Sequence, residues 1–570
     1  MGLLKVCPKL ITKTNANRAR REGKTMDSAS SFSTNTLFYG DNLEVLKRHF
    51  PTESIDLIYL DPPFNSKADY NILFKEATGE QSTAQIQAFS DSWHWDFQAA
   101  HAYDRLAMQS PKAVSDIITS MHDFLGKNDM FAYLVMMGER LLELHRVLKP
   151  TGSIYLHCDT TASHYLKLLL DAIFEPKNFR NEIIWKRFNF HADANRFGRV
   201  ADRILFYSKT DDYLFNKQMA PYKKAYIDSK FTHKENGRKF RLSDLNPPGG
   251  RGPIYEFHGI TRPWRYRKKV MLQLENEGRI YTESKVPQLK RYLDELEARG
   301  GGAVHEIWDD IPVVNSMAKE RLGYPTQKPI QLLERIIQAS SDKDSWILDP
   351  FCGCGTAIVT AEKLHRHWVG IDVTFLAVNL VKGRLKDSFP TSSFIVEGEP
   401  RDLGAARELA RNRYQFQWWA LSLIEARPVG SNQSNPREGK KGADEGVDGW
   451  LHFLGESEGH YERVVVQVKS GHVGIKDIRE LETVVSRQKA AIGIFLTLEE
   501  PTSEMTKESK AADPYVSPIW KLEYPTIQIL TIEQLLKGDH PKMPPAVSQY
   551  QEAPRIERVM EIKQKKLIST

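Results

Sequence analysis

Short continuous apolar runs punctuate the first half of the chain. Thr36 to Tyr39, Ile55 to Leu60 and Ser153 to His157 read as strands buried on both faces. Between them the apolar spacing lengthens to the helical period, from Leu43 onward and again over a long region from about Val114 to Val147, which Lys149-Pro150-Thr151-Gly152 closes. His164 to Ile173 reads as a further helix, and Glu182 to Trp185 and Arg203 to Tyr207 as strands. The same rhythm returns at Trp346 to Asp349, a helix from near Ala357, and a strand ending at Asp372. Alternation of this kind predicts a mostly parallel sheet covered by helices. From about Lys209 to Arg321 the rhythm fails, and the stretch is rich in Lys, Arg, Tyr, Gly and Pro. Structureless insertions of this length are uncommon without a role.

Chemistry concentrates at two strand ends. Leu60 is followed by Asp61-Pro62-Pro63-Phe64-Asn65. Proline fixes φ and removes a backbone donor, so the Asp61 side chain and the Pro62 carbonyl can both face a ligand as acceptors. Two acceptors and the ring of Phe64 suit a planar base with an exocyclic NH2; an ordinary strand-to-turn exit is the plainer reading. Asp349 is followed by Pro350-Phe351-Cys352-Gly353-Cys354-Gly355-Thr356. Its glycines allow a tight turn and close backbone approach at a helix N-terminus. Asp372 lies about twenty positions past this loop, at the end of the next strand, where an acid can bind ribose hydroxyls.

These segments together resemble the DNA amino-methyltransferases that use S-adenosylmethionine and act on adenine N6 or cytosine N4. The catalytic segment precedes the cofactor segment, which is the order of the β group. Gly40-Asp41-Asn42 is similar to the family's early motif, and Tyr324-Pro325-Thr326-Gln327-Lys328-Pro329 to its helix entry before the cofactor loop. The resemblance covers roughly residues 37–385. It implies Asp61, Pro62, Pro63 and Phe64 as the catalytic segment. It implies Asp41 at the adenine end of the cofactor, Asp372 at its ribose, and Asp349, Phe351, Gly353, Gly355 and Thr356 at its methionine end. The base must leave the duplex to be reached, and Phe64 would stack on it. Aspartate before Pro-Pro is usual in that family for adenine and serine for cytosine, so adenine N6 is expected, with cytosine N4 as the alternative.

A net charge of +6 on 570 residues does not by itself announce a nucleic-acid partner. Local charge says more. Residues 1–25 carry seven Lys or Arg and one acid, Glu22. Arg262, Arg265, Arg267, Lys268 and Lys269 interleave with Trp264 and Tyr266. Such a stretch can contact phosphates and stack on bases, or be a solvated loop around a buried Trp264. Cys7, Cys158, Cys352 and Cys354 have no zinc spacing and read as reduced thiols of a cytoplasmic protein. No apolar run reaches membrane-spanning length. Double-stranded DNA is the expected partner, and a homodimer is open.

A second α/β unit follows the change of composition at Glu399 to Glu408. It begins with the aromatic helix Tyr414 to Trp419 and continues through Val464 to Lys469, Ile475 to Gln488, Ala491 to Thr497 and Thr526 to Leu530. This unit is similar to the Mrr-like branch of the PD-(D/E)xK nucleases, which implies Asp448, Gln467 and Lys469 as its site. Asp448 is a hard ligand for Mg2+, the Gln467 amide oxygen could complete the shell, and Lys469, two positions on along the strand, could orient water. Gln467 stands where many relatives have an acid, so a fold that binds DNA without cutting it is the alternative.

The expected fold class is therefore α/β: a Rossmann-like methyltransferase sheet with an inserted target-recognition region, plus a C-terminal restriction-endonuclease-like α/β domain. The expected boundaries are 1–35 for a basic disordered arm, 36–208 for the catalytic half, 209–321 for target recognition and 322–390 for the cofactor half. A linker, 391–412, the endonuclease-like domain, 413–545, and a tail, 546–570, complete the chain.

Overall fold

The computed structural model describes residues 32–63, 69–75, 81–90, 94–188, 195, 197–315, 318, 320, 327–428, 446–455 and 461–545. Nine strands form the principal sheet. In chain order they are β1 (Asn35–Tyr39), β2 (Ile55–Leu60), β3 (Leu148–Cys158), β4 (Phe179–Lys186), β5 (Ala201–Ser208), β6 (Ile307–Trp308), β7 (Trp346–Asp349), β8 (His367–Asp372) and β9 (Phe394–Glu397). Their order across the sheet is β6-β4-β5-β3-β2-β7-β8-β1-β9. Only β5 runs against the rest; it is antiparallel to both β3 and β4. The sheet is thus mixed, and its strands are buried on both faces as their continuous apolar sequences require.

The chain leaves β2 toward β3 on one side, and β7 toward β8 on the other. Adjacent β2 and β7 therefore flank a topological switch point, where open α/β sheets hold their ligands. Two apolar layers cover the sheet. One is built on Phe131, Leu134, Leu141 and Leu170 against Ile58 and Leu348. The other sets Leu333, Ile336, Ile358 and Val381 against Leu57 and Ile347.

The long helical region expected over Val114 to Val147 is two helices, Lys112–Leu125 and Asp129–Val147. Gly126, at φ +69°, ends the first, and the Asn128 side chain caps the second by accepting from Phe131 N. The helix Phe97–Gln109 before them was not anticipated.

Residues 209–315 have small layers of their own. Ile280–Tyr281, Gln288–Tyr292, Arg238–Ser243 and His233–Glu235 form a four-stranded antiparallel sheet. Leu245, Phe257, Trp264, Met271 and Leu289 form its core. The C-terminal unit is a five-stranded sheet in the order β10 (Arg427–Pro428), β11 (Gly449–Leu454), β12 (Tyr461–Lys469), β13 (Ile492–Thr497) and β14 (Ile527–Thr531). β11 and β12 are antiparallel, whereas β12, β13 and β14 are parallel. The helix Ile475–Arg487 makes the crossover from β12 to β13.

Candidate active site

A cleft of about 320 Å³ opens at the switch point. Three adjacent parallel strands each deliver an acid to it: Asp61 follows β2, Asp349 ends β7 and Asp372 ends β8. Pro62, Pro63, Tyr59, Phe351, Gly353 and Thr356 line it with them. The described residues expected from both motifs thus converge on one cavity, except Gly355, which turns the loop behind its lining. Phe64 and the segment Tyr324 to Thr326 lie outside the described residues.

The glycine loop turns tightly. Gly355 N donates to Cys352 O at 2.6 Å, and Gly355 adopts φ +73° at the N-cap of the helix Thr356–Lys363. A glycine cap offers no side-chain acceptor, so the first N–H groups of this helix remain available at the cleft. Gly353 N donates to Asp372 Oδ2 at 2.9 Å, and Thr374 donates twice, from N and Oγ1, to Asp372 Oδ1. Asp372 thereby fastens the loop to β8. Phe351 N donates to Asp349 Oδ1 at 3.1 Å. Burial pushes the carboxyl groups of Asp349 and Asp372 up, well above the usual range for Asp349. Burial likewise raises the Cys352 thiol, and Cys158, Cys352 and Cys354 are buried free thiols; Cys7 is outside the described residues.

Asp41 sits at the far end of the cleft. Its Oδ1 caps the helix Asn42–His49 by accepting from Leu43 N and Glu44 N, and its Oδ2 accepts from Arg140 at 2.6 Å. Arg140 also donates to Asn42 Oδ1, and Asn42 Nδ2 donates to Pro350 O at 2.7 Å. This chain of bonds ties the early motif to the cofactor loop. Sequence reasoning missed Arg140, since nothing in the helix Asp129–Val147 distinguishes it from a surface cation.

Lys328 was also missed, although it stands within a motif that the sequence shows. Its ammonium donates to Asp61 Oδ2. Asp61 Oδ1 is buried and, among the described residues, has no hydrogen-bond partner. Behind the cleft, Tyr59 Oη and His157 Nδ1 lie 3.0 Å apart, and His157 Nε2 and Asp202 Oδ2 are separated by the same distance. No spacing in the sequence signals that buried triplet, because its members come from three different strands.

The basic stretch differs from expectation in one respect. Trp264 is fully buried and donates from Nε1 to Tyr255 O, so it cannot stack on a base. Arg265, Arg267, Lys268 and Lys269 are exposed, whereas Arg262 lies over the Trp264 ring.

In the C-terminal unit Asp448 lies beside β12, as expected. Its two oxygens, however, accept from Gln417 Nε2 at 2.9 Å and Val468 N at 2.7 Å. Gln467 is buried, with its amide nitrogen donating to Gly446 O, and Lys469 lies 3.9 Å from Asp477. Among the described residues no group of three His, Cys, Asp or Glu could hold a metal ion. Asp448 already accepts from two protein donors, and Gln467 brings an amide oxygen, buried and without a hydrogen-bond partner among the described residues, but no charge. One carboxylate and one amide are a weak set for Mg2+, a hard cation that takes charged oxygen ligands, and the described residues give the magnesium expectation no support.

A mixed α/β sheet with acids and a glycine loop around a cleft at its switch point is the arrangement in which open α/β proteins hold a cofactor. More specifically, a DNA methylase family model matches residues 55–382, more than half of the chain, and the chain belongs to that family. S-adenosylmethionine-dependent DNA methylation within restriction–modification is the family's activity. A second model, described as NACHT-associated inactive restriction endonuclease 1, matches residues 434–537. The chain is 27% identical over 359 residues to the type II methyltransferase M.EcaI of Enterobacter cloacae, covering 61% of this chain and 69% of that one. It is 26% identical to the Mod subunit of the type III restriction-modification enzyme StyLTI of Salmonella typhimurium, covering 57% of this chain and 49% of that subunit. It is 25% identical to the DNA adenine methyltransferase YhdJ of Escherichia coli K12, over 59% of this chain and 78% of that one. Among solved structures, the cytosine-N4-specific PvuII DNA methyltransferase aligns with a TM-score of 0.31 and 14% identity, over 62% of this chain and 88% of that one, too distant to argue from. Among the described residues no helix is long and apolar enough to cross a membrane.

Proposed function

We propose that the chain methylates N6 of an adenine flipped out of duplex DNA. The observation that carries this reading is Asp61 Oδ1, a buried carboxylate oxygen at the end of β2 that has no partner among the described residues. Such an atom is costly to leave unpaired, and at the lining of a cleft it can accept from an arriving donor. An exocyclic amine brings two hydrogens. Asp61 Oδ1 and the Pro62 carbonyl accept them, which favours pyramidal nitrogen and frees its lone pair. S-adenosylmethionine, when bound, supplies an electrophilic methyl group on a sulfonium. The chain's own contribution is alignment and negative charge beside the nitrogen that becomes positive.

The cleft suits that cofactor. Asp349 would lie beside its charged methionine end, and the uncapped helix N-terminus at Gly355 suits its carboxylate. Asp372 would hold the ribose and Asp41 the adenine end, each through acceptor capacity beyond its present bonds. Adenine rather than cytosine is supported by aspartate before Pro-Pro and by YhdJ, an adenine methyltransferase. Residues 209–321 would read the DNA site, with Arg265, Arg267, Lys268 and Lys269 on phosphates. The C-terminal unit would be a DNA-binding module that does not cut. Its match to an inactive family and the engaged Asp448 support that choice over nuclease activity.

The test is Asp61→Ala with labelled cofactor and duplex DNA. Methylation should fall by about 10²-fold or more, by analogy with loss of an oxyanion donor. Cofactor affinity by calorimetry should stay near that of the unaltered chain, because Asp61 acts on the base. Full activity in Asp61→Ala would end the mechanistic reading, and N4-methylcytosine in the digested product would overturn the base assignment.

A further inference from the structure

We propose that Lys328 is a positioning residue for methyl transfer: its ammonium pins Oδ2 of Asp61 and leaves Oδ1 as the acceptor presented to the target amine. This rests on the assignment of Asp61 to the exocyclic amine. The two side chains come from distant parts of the chain. Asp61 follows β2, and Lys328 stands just before the helix Ile330–Ser340. Both line the cleft, with side-chain exposures of 10% for Lys328 and 15% for Asp61.

A carboxylate has two equivalent oxygens on a soft terminal torsion, so an unrestrained Asp61 would exchange them freely. A charge-assisted bond to one oxygen removes that freedom. The other oxygen is then fixed, buried and unpaired, as observed for Oδ1. Lys328 also answers the repulsion among the acids at the strand ends. Burial pushes the Asp349 carboxyl up, the charge of Asp61 adds to this, and Lys328 opposes it. Without the ammonium, Asp61 would be free to turn away from Asp349 and toward solvent, and the acceptor would leave the line of transfer. A misplacement of that size costs rate rather than binding.

The experiment uses the full chain, saturating S-adenosylmethionine and duplex DNA, with Lys328→Met, Lys328→Arg, Lys328→Ala and Asp61→Ala, each checked by thermal melting. Lys328→Met should lose about 10²-fold in kcat, with both KM values within about threefold of the parent. Lys328→Arg should recover most of that loss. Exogenous methylammonium should raise the rate of Lys328→Ala saturably and do nothing for Asp61→Ala. Parental kcat in Lys328→Met would overturn the proposal. So would a Lys328→Ala deficit that neither arginine nor methylammonium repairs, since that marks a merely structural role. Activity surviving in Asp61→Ala would instead remove the assignment beneath it, whereas an inactive Asp61→Ala beside a fully active Lys328→Met would sink the Lys328 proposal alone.

Discussion

One methyl group on the glycine loop should be enough to loosen cofactor binding. Gly355 holds φ +73° and ψ +29°, a left-handed conformation that costs alanine roughly 1–2 kcal/mol. An ideal Cβ there would lie 2.5 Å from Val381 Cγ2 and 3.1 Å from Val381 Cγ1. Val381 is fully buried among Ile358, Val378 and Leu385, so it cannot swing aside. Overpacking of this kind costs about 1–3 kcal/mol, and the two contributions sum to roughly 2–5 kcal/mol. Relief requires the loop to move away from Val381, which carries Gly353 and Cys354, both lining residues, out of place. If only the smaller part of that strain, roughly 1–2 kcal/mol, reaches the bound state, S-adenosylmethionine affinity still weakens by about fivefold to thirtyfold, since 1.4 kcal/mol is one decade. Calorimetry on Gly355→Ala measures this directly. The double variant Gly355→Ala, Val381→Ala separates the two contributions: the packing share should return and the backbone share should not. Parental affinity in Gly355→Ala, or zero coupling between the two positions, would refute this account of the loop.

Two further outcomes follow from the other regions. Alanine at Arg265, Arg267, Lys268 and Lys269 together should flatten the dependence of log K on log salt by about 0.9 for each phosphate that is no longer neutralised, and an unchanged slope would remove these residues from the DNA interface. The full chain incubated with methylated or unmethylated DNA, Mg2+ or Mn2+, with or without S-adenosylmethionine, should leave the DNA intact; cutting that disappears in Asp448→Ala would show that the C-terminal unit is a nuclease after all.

What the sequence made legible, and what it hid, divides along physical lines. The strands β2, β7 and β8 could be read because central parallel strands are apolar and short. In contrast, β3 begins at Leu148 and runs through the Lys149-Pro150-Thr151-Gly152 segment, which reads as a turn, so only its apolar end from Ser153 was legible. The acids Asp61, Asp349 and Asp372 could be placed because a strand end fixes where its next residue points. The break at Gly126 to Asn128 was hidden by apolar spacing that continues across it, although glycine and asparagine are the residues that end and start helices. Trp264 was ambiguous because aromatic residues among cations serve equally as a base platform and as the core of a small sheet; the core of Leu245, Phe257 and Met271 claims it. Lys328, Arg140 and the Tyr59–His157–Asp202 triplet act through partners about 45 to 267 residues away. Pairings over that distance have no local signature.

The seam between the methylase sheet and the C-terminal unit accounts for where Asp448 has gone. Phe375, which starts the helix after the cofactor acid, is fully buried and belongs to the C-terminal core with Phe416 and Trp419. Its ring stacks on Tyr39 of β1 at a centroid distance of 3.7 Å, and its N–H donates to the Gln415 side chain. Two residues further along the same helix, Arg413–Leu423, Gln417 donates to Asp448. One helix thus grips Phe375, three residues past Asp372, at one point and Asp448 at another. Both Asp448 oxygens accept from protein donors, the helix amide and the β12 backbone. Gln467 beside it is buried and uncharged, so no second buried carboxylate repels Asp448. The C-terminal unit thus packs as a brace against the methylase sheet, and Asp448 is one of the groups that hold the brace together.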